Sequence, residues 1–318
     1  MTCSAFWNYV NVRPGNRVYP CCRFKQSAAE FNGDLEQIIN GPEYEELRRK
    51  SLAGEHIPEC QKCYDEEALG HESLRIRLNK EYTIETPQVK FLEIGIDNLC
   101  NLVCDGCNSE FSTSWMAKEK LIYGAPLNKK LTIDEVTNVP NSVEKILFLG
   151  GEPLITDKHL DILELHPSPE DCLVIYNTNA SFIPSKQCEY IWNKFKKVHF
   201  IISIDGVGEV NERVRGGSKW QDTLDFIDYC YGNEYDFEVN TVLHYNNWFD
   251  LENLVNFMSK FDKKWYINLL TYPTNLALDK QSVENLQEFL TMAEQLEFPN
   301  KTYILNYVKQ AINKQQEN

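Results

Sequence analysis

The stretch IDNLCNLVCDGCNSEF, residues 96–111, places three cysteines, Cys100, Cys104 and Cys107, on one short segment. It follows VKFLEIGID (89–97), an apolar, β-branched run of the kind that forms a parallel strand buried on both faces. Structural metal sites generally use four ligands. Three thiols at the end of a strand therefore raise the question of the fourth partner.

Working outward, five more strand-like runs follow: KILFLGG (145–151), CLVIYNTN (172–179), VHFIISID (198–205), FEVNTVLHY (237–245) and WYINLLTY (265–272). Polar segments of helical period, such as SKQCEYIWNKFKK and WQDTLDFIDYCYG, lie between most of them. Six β-units in succession predict an α/β fold, a partial (β/α)6 TIM-like barrel over residues 86–275. In such barrels the chemistry sits on loops at the C-terminal ends of strands, which is where the cysteines fall. Residues 276–318 read as a helical tail. The aromatics Trp265, Tyr266, Tyr272 and Tyr303 read as core rather than as a substrate platform.

Upstream, residues 1–85 read as a separate unit. FWNYVNVRPGNRVYPCC alternates around a Pro-Gly turn, as a β-hairpin does. GDLEQIINGPEYEELRRKSLAGEH reads as helix broken at Gly41-Pro42, and PECQKCYDEE opens another helical segment with a CxxC.

Composition narrows the function classes. Asp and Glu outnumber Lys and Arg by 47 to 32, a net charge of −15, which disfavours a nucleic-acid partner. No run of about 18 apolar residues occurs, and MTCSAFWNYV lacks the basic-then-apolar pattern of a secretory signal. A cytoplasmic protein without a membrane partner is expected. Of the 11 cysteines, eight lie in the first 107 residues; in that setting clustered thiols read as metal ligands, with disulfides the alternative for the N-terminal group.

A cube of four irons takes four thiolates, so three leave one iron with an open position. CxxxCxxC after the first strand of a β/α barrel resembles the radical S-adenosylmethionine (radical SAM) enzymes. The resemblance implies that Cys100, Cys104 and Cys107 hold a 4Fe–4S cluster whose open iron is chelated by S-adenosylmethionine. Reductive cleavage then gives a 5′-deoxyadenosyl radical that takes hydrogen from a substrate, with flavodoxin or ferredoxin as electron donor. A zinc site is the alternative, with His71 or His159 as the fourth ligand.

Three further motifs occur in the family's order, each at the end of its own strand. Gly150-Gly151-Glu152-Pro153 resembles GGEP: the glycines admit close backbone approach and Glu152 offers an acceptor to the cofactor ammonium. Asn177-Thr178-Asn179-Ala180 resembles a TNG-type turn with alanine in the glycine place, and makes Asn179 a cofactor contact. Ser203-Ile204-Asp205-Gly206, with Arg215-Gly216 downstream, resembles the segment used on the cofactor's ribose and carboxylate, Arg215 forming a charge-assisted pair. Asn240, in the fifth strand, is assigned toward the adenosine. Read singly, each is also an ordinary turn or a helix-entry salt bridge. One departure is Gly106, where relatives often carry an aromatic residue; adenine packing is then expected from Phe111 or the fifth strand. Glu93, Asp97 and Asp205 lie at or near strand ends, as substrate contacts or as solvated caps.

The N-terminal unit is similar to SPASM or twitch domains, which carry auxiliary iron–sulfur clusters but usually follow the barrel rather than precede it. The resemblance implies that Cys3, Cys21, Cys60 and Cys63 supply four thiolates, with Cys22 a fifth candidate beside Cys21. A 4Fe–4S cluster is favoured, with 2Fe–2S and structural zinc as alternatives. Cys172, Cys188 and Cys230 read as small buried hydrophobes. For the substrate, peptide or protein modification is favoured, and oxidation of a small alcohol or sugar comes next. The alternative class is a non-catalytic iron–sulfur or zinc-binding electron-transfer protein, which predicts that S-adenosylmethionine is not cleaved.

Overall fold

A computed structural model describes residues 2–68, 70 and 72–317 of the chain. His71 therefore lies outside the described residues. All six expected strands form: β4 (Phe91–Gly95), β5 (Lys145–Leu149), β6 (Leu173–Thr178), β7 (Lys197–Ser203), β8 (Asp236–Leu243) and β9 (Trp265–Leu269). Ahead of them come β1 (Tyr9–Arg13), β2 (Arg17–Tyr19) and β3 (Ala29–Glu30). The residues group into two compact units, one of residues 1–99, 130–176 and 184–198, the other of residues 100–129, 177–183 and 199–318.

In the first unit, β1 and β2 form the expected antiparallel hairpin, with Arg13 opposite Arg17. The connecting Pro14-Gly15-Asn16 places Gly15 and Asn16 at positive φ, where glycine and asparagine cost least. Asp34 caps the helix Leu35–Ile39 through the amides of Glu36 and Gln37, and Gly41-Pro42 separates it from the helix Pro42–Leu52, with proline in its first turn.

β1 also pairs in parallel with β4, Asn11 lying beside Glu93. β4 continues to β5 and β5 to β6, all parallel. The N-terminal segment and the first strands of the parallel sheet thus share one hydrogen-bonded ladder. One face of this sheet is sealed: Val10, Val12, Leu92, Ile94, Ile146, Phe148, Val174 and Tyr176 have no exposed area. The stacked Phe148 and Tyr176 rings lie on it, with Trp192 donating to the Tyr176 hydroxyl. The other face carries Phe91, Leu147, Leu149 and Ile175, which are half-buried. The apolar runs predict burial on both faces; the structure covers one fully and leaves the other partly open.

In the second unit, β7, β8 and β9 are parallel. The helices Val283–Ala293 and Lys301–Gln316 pack against this end through Leu286, Phe289, Ile304 and Val308, in one core with Leu243 and Ile267. The aromatic tail departs from expectation. Tyr266, Tyr272 and Tyr303 are 40%, 69% and 38% exposed. Along β9 the inward position is taken by Ile267, and period-two alternation turns Tyr266 outward. No helix among the described residues is long and apolar enough to cross a membrane.

Candidate active site

The three-cysteine loop belongs to the second unit and is held by its own neighbours. Ser114 Oγ donates to the Cys100 carbonyl (2.7 Å), Ser112 Oγ to the Leu102 carbonyl (2.6 Å) and Trp115 Nε1 to the Cys104 carbonyl (3.0 Å). These groups open the helix Thr113–Tyr123, so the helix start clamps the loop. Cys104 lies opposite Arg215 in a two-residue antiparallel pair, Val103–Cys104 with Arg215–Gly216. The SxDG…RG segment is thereby bound to the cysteine loop through its backbone. Donors also face a thiol directly, with Leu102 N at 3.5 Å and Asn179 Nδ2 at 3.8 Å from Cys100 Sγ.

Arg215 is the main charge of this group. Its Nη1 donates to Asp205 Oδ2 at 2.7 Å, and Asp205 Oδ1 accepts the Val242 amide. Burial alone would favour the neutral guanidine, but Cys104, Asp205 and Cys100 more than offset it and hold Arg215 further above its ordinary value. Its Nε is buried with no partner among the described residues. An orphaned cationic donor beside two thiols fits an anionic cluster and an anionic cofactor group. Burial raises the Cys104 thiol to about 11 and the Cys107 thiol to about 12, so metal binding must displace their protons.

Asn179 Nδ2 also donates to Asn101 Oδ1 (3.0 Å). Next to it, Ala180 adopts φ +57, the glycine-like conformation expected of a TNG-type turn. Replacing Ala180 by glycine is expected to raise stability by about 1 kcal/mol, read by thermal denaturation, because the left-handed backbone carries a Cβ penalty. Ser203 Oγ lies 3.5 Å from Asn177 Oδ1, and Asn240 Oδ1 accepts from Asn268 Nδ2 (2.7 Å). At Gly106 a Cβ would meet Leu270 Cδ1 at 2.8 Å; the place of an aromatic ring is taken by a leucine from far along the chain. Asn246, whose Nδ2 holds Asp105 (2.7 Å), had no sequence signal beyond following a strand.

The GGEP turn belongs to the first unit. Gly150 has φ +118, and a Cβ on it would lie 2.6 Å from the Asp97 carbonyl; one on Gly151 would lie 2.1 Å from the Leu99 carbonyl. The Gly151 amide donates to Asp97 O and the Glu152 amide to Leu99 O. Glu152 is 2% exposed and its Oε1 accepts the Leu154 amide. It lines a small pocket with Ile96, Asp97, Leu149 and Thr156. Asp97 is engaged by Lys158 at 3.1 Å. His159, the other zinc alternative, is instead hydrogen-bonded to the Tyr176 hydroxyl (2.7 Å) in the core, where burial pushes it down to about 4.

In the same unit Cys3, Cys21 and Cys60 share one core cluster with Phe6, Trp7 and Tyr19. Burial raises Cys3 to about 12, with Cys63 raising it further; Cys3 and Cys63 act likewise on Cys60. Cys21 is affected by Cys3 and Cys60 as well as by Cys22. Cys22 is exposed, and its charged neighbours are Arg23, Arg13 and Arg77. Cys3, Cys21, Cys60 and Cys63 are thus linked by mutual electrostatic effects, and Cys22, which acts on Cys21, also faces arginines.

Residues 96–258, half of the chain, match the model of the radical SAM superfamily. The chain belongs to the radical SAM superfamily. Residues 3–64 match the SPASM iron–sulfur cluster-binding domain, here at the N-terminal side of the barrel. This radical SAM enzyme accordingly has the α/β partial-barrel fold, uses a 4Fe–4S cluster with S-adenosylmethionine, and carries a further iron–sulfur cluster. It is 26% identical over 164 residues to the GTP 3′,8-cyclase of Clostridium perfringens, a match covering 49% of this chain and 47% of that protein. The chain spans about half the length of the curated relatives it matches. Similar solved structures include native anSMEcpe with bound AdoMet (16% identity, TM-score 0.45, 63% of this chain and 58% of that one). Another is Streptococcus suis SuiB bound to S-adenosylmethionine (16% identity, TM-score 0.42, 69% of this chain and 44% of that one).

Proposed function

We propose that this radical SAM enzyme holds its catalytic cluster on Cys100, Cys104 and Cys107 and acts on a peptide substrate in the cytoplasm. The observation that carries the site assignment is the loop itself: three partly buried thiols with backbone and Asn179 donors on Cys100 and the Arg215 cation alongside. Bound there, the cluster and S-adenosylmethionine supply a 5′-deoxyadenosyl radical. The chain's own residues bind and orient. Gly150 and Gly151 leave room at the backbone, and Glu152 accepts from the cofactor's ammonium. Arg215 pairs with the carboxylate while Asp205 holds Arg215 in place. Asn179, Ser203 and Asn240 offer polar contacts to the remainder of the cofactor.

Cys3, Cys21, Cys60 and Cys63 hold the auxiliary cluster in this reading, supported by their mutual electrostatic reach. Replacing Cys21 by serine is expected to remove the auxiliary iron, about half of the total, whereas replacing Cys22 by serine leaves iron content unchanged. Iron quantification with Mössbauer spectra of both variants checks this.

The peptide reading draws support from the SPASM domain, whose relatives often modify peptides, and from β1 of that region lying beside β4. A second reading, a purine nucleoside triphosphate, is favoured by the curated relatives' name. A triphosphate needs several cations, and the chain carries a net charge of −15. Anaerobic turnover with dithionite, S-adenosylmethionine and either a peptide pool or GTP separates them. Peptide-dependent 5′-deoxyadenosine with a peptide mass change is expected; stimulation by GTP alone would replace the first reading by the second.

A further inference from the structure

In the first unit, register places Asn11, Glu93, Leu147 and Ile175 in one row across four parallel strands, on the half-open face. Two of the four are polar and both are buried, Asn11 with no exposed area and Glu93 with 5%. The Tyr9 hydroxyl donates to Glu93 Oε2, and Asn11 Nδ2 donates to Glu93 Oε1 at 3.0 Å. Since the Asn11 amide nitrogen is turned to Glu93, its Oδ1 points elsewhere, and that oxygen is buried with no partner among the described residues.

The cations of this face are engaged elsewhere. Lys145, on β5, pairs with Glu81, and Arg13, on β1, donates to the Cys22 carbonyl and lies over the Tyr19 ring. The titratable group facing Glu93 is Tyr9, already its donor; Leu147 and Ile175 do not titrate. A buried carboxyl, hydrogen-bonded through both oxygens but without a counter-cation, thus sits beside an amide oxygen with no donor: the pair lacks a positive charge and one N–H. With burial as the cause, the carboxyl is raised to about 8.

We propose that Glu93 and Asn11 form a substrate subsite that takes a cationic, donor-rich nitrogen group, a primary ammonium or a guanidinium. An ion of that kind supplies the missing charge to Glu93 and the missing N–H to Asn11 Oδ1 together. Leu147 and Ile175 offer an apolar bed for the alkyl stem behind it. If the peptide reading above holds, the group is a lysine or arginine side chain or a peptide N-terminus; the subsite itself depends on that reading only for the molecule that carries the cation.

The test titrates butylguanidinium, and its neutral isostere butylurea, into anaerobically reconstituted full-length enzyme by ligand-observed NMR. Saturable binding of the cation and none of the urea is expected. Glu93→Gln should weaken it about 30-fold, with Glu93→Asp between. Binding to a carboxyl that must first lose its proton should strengthen about tenfold per pH unit from roughly pH 6 to 8 and release a proton. Equal binding of cation and urea, no saturable binding of either, or cation binding unchanged in Glu93→Gln overturns the subsite. Should Glu93→Gln not fold, the wild-type comparison and its pH profile still decide. Modification of peptides regardless of lysine-to-norleucine and arginine-to-citrulline replacement also removes the subsite while leaving the peptide reading intact. Cation binding that meets these criteria, with no modification of any lysine- or arginine-containing peptide, removes the peptide reading and leaves the subsite.

Discussion

Replacing Cys100, Cys104 and Cys107 together by alanine is expected to abolish 5′-deoxyadenosine formation, a fall of at least about 1,000-fold under dithionite and S-adenosylmethionine. The thiols are the cluster's attachment in the proposed site, and the surrounding donors cannot substitute for them. Ser112, Ser114 and Trp115 are spent on backbone carbonyls of the loop, and Arg215 carries no metal-ligating lone pair. The auxiliary iron should remain, because Cys3, Cys21 and Cys60 belong to a separate core cluster with Phe6, Trp7 and Tyr19, and Cys63 lies within electrostatic reach of Cys3 and Cys60. Chromatography of the nucleoside with iron counted on the same sample checks both halves. Residual 5′-deoxyadenosine at the wild-type rate would move the chemistry away from this loop.

Gly151→Ala is expected to be strongly damaging. Its Cβ would stand 2.1 Å from the Leu99 carbonyl oxygen and 2.5 Å from the carbonyl carbon, both backbone atoms that no rotamer can move aside. The amides of Gly151 and Glu152 bond to this same segment, so relief requires breaking the turn that aims Glu152. A cost above about 3 kcal/mol follows, lowering Tm by roughly 6–12 °C and weakening S-adenosylmethionine binding. Gly232→Ala is the control: nothing lies within 4 Å of its added Cβ, so stability should be unchanged or slightly higher. Calorimetry of both proteins is sufficient, and equal Tm values would refute the steric account of the GGEP turn.

Much of this protein is written in short-range patterns. The six strands of the parallel sheet occur where the apolar runs stand, and the hairpin turns at Pro14-Gly15-Asn16 because Gly15 and Asn16 reach positive φ cheaply. The helix break at Gly41-Pro42 has the same local origin. The motif CxxxCxxC and the GGEP turn are legible because close backbone approach and metal ligation demand particular residues at fixed spacing. Even Ala180, a departure from glycine, adopts the glycine-like φ, since the turn's geometry is set by Thr178 Oγ1 and Asn179 Oδ1, which take the amides of Ala180 and Ser181.

What the sequence determined by itself was therefore the order of elements and the family. Tertiary structure alone decided which groups meet across long separations. Spacing does not announce that Cys21 is buried among Phe6, Trp7 and Tyr19 while Cys22 is exposed. Nothing near Gly106 announces Leu270, and nothing near Glu93 announces Asn11, 82 residues earlier. Tyr266 follows the pattern of a core aromatic and yet lies outward, because strand alternation gave the inner place to Ile267. Periodicity and turn chemistry act over a few residues and can be read along the chain. Strand register and burial are set by packing between segments, so they exist only once the chain has folded.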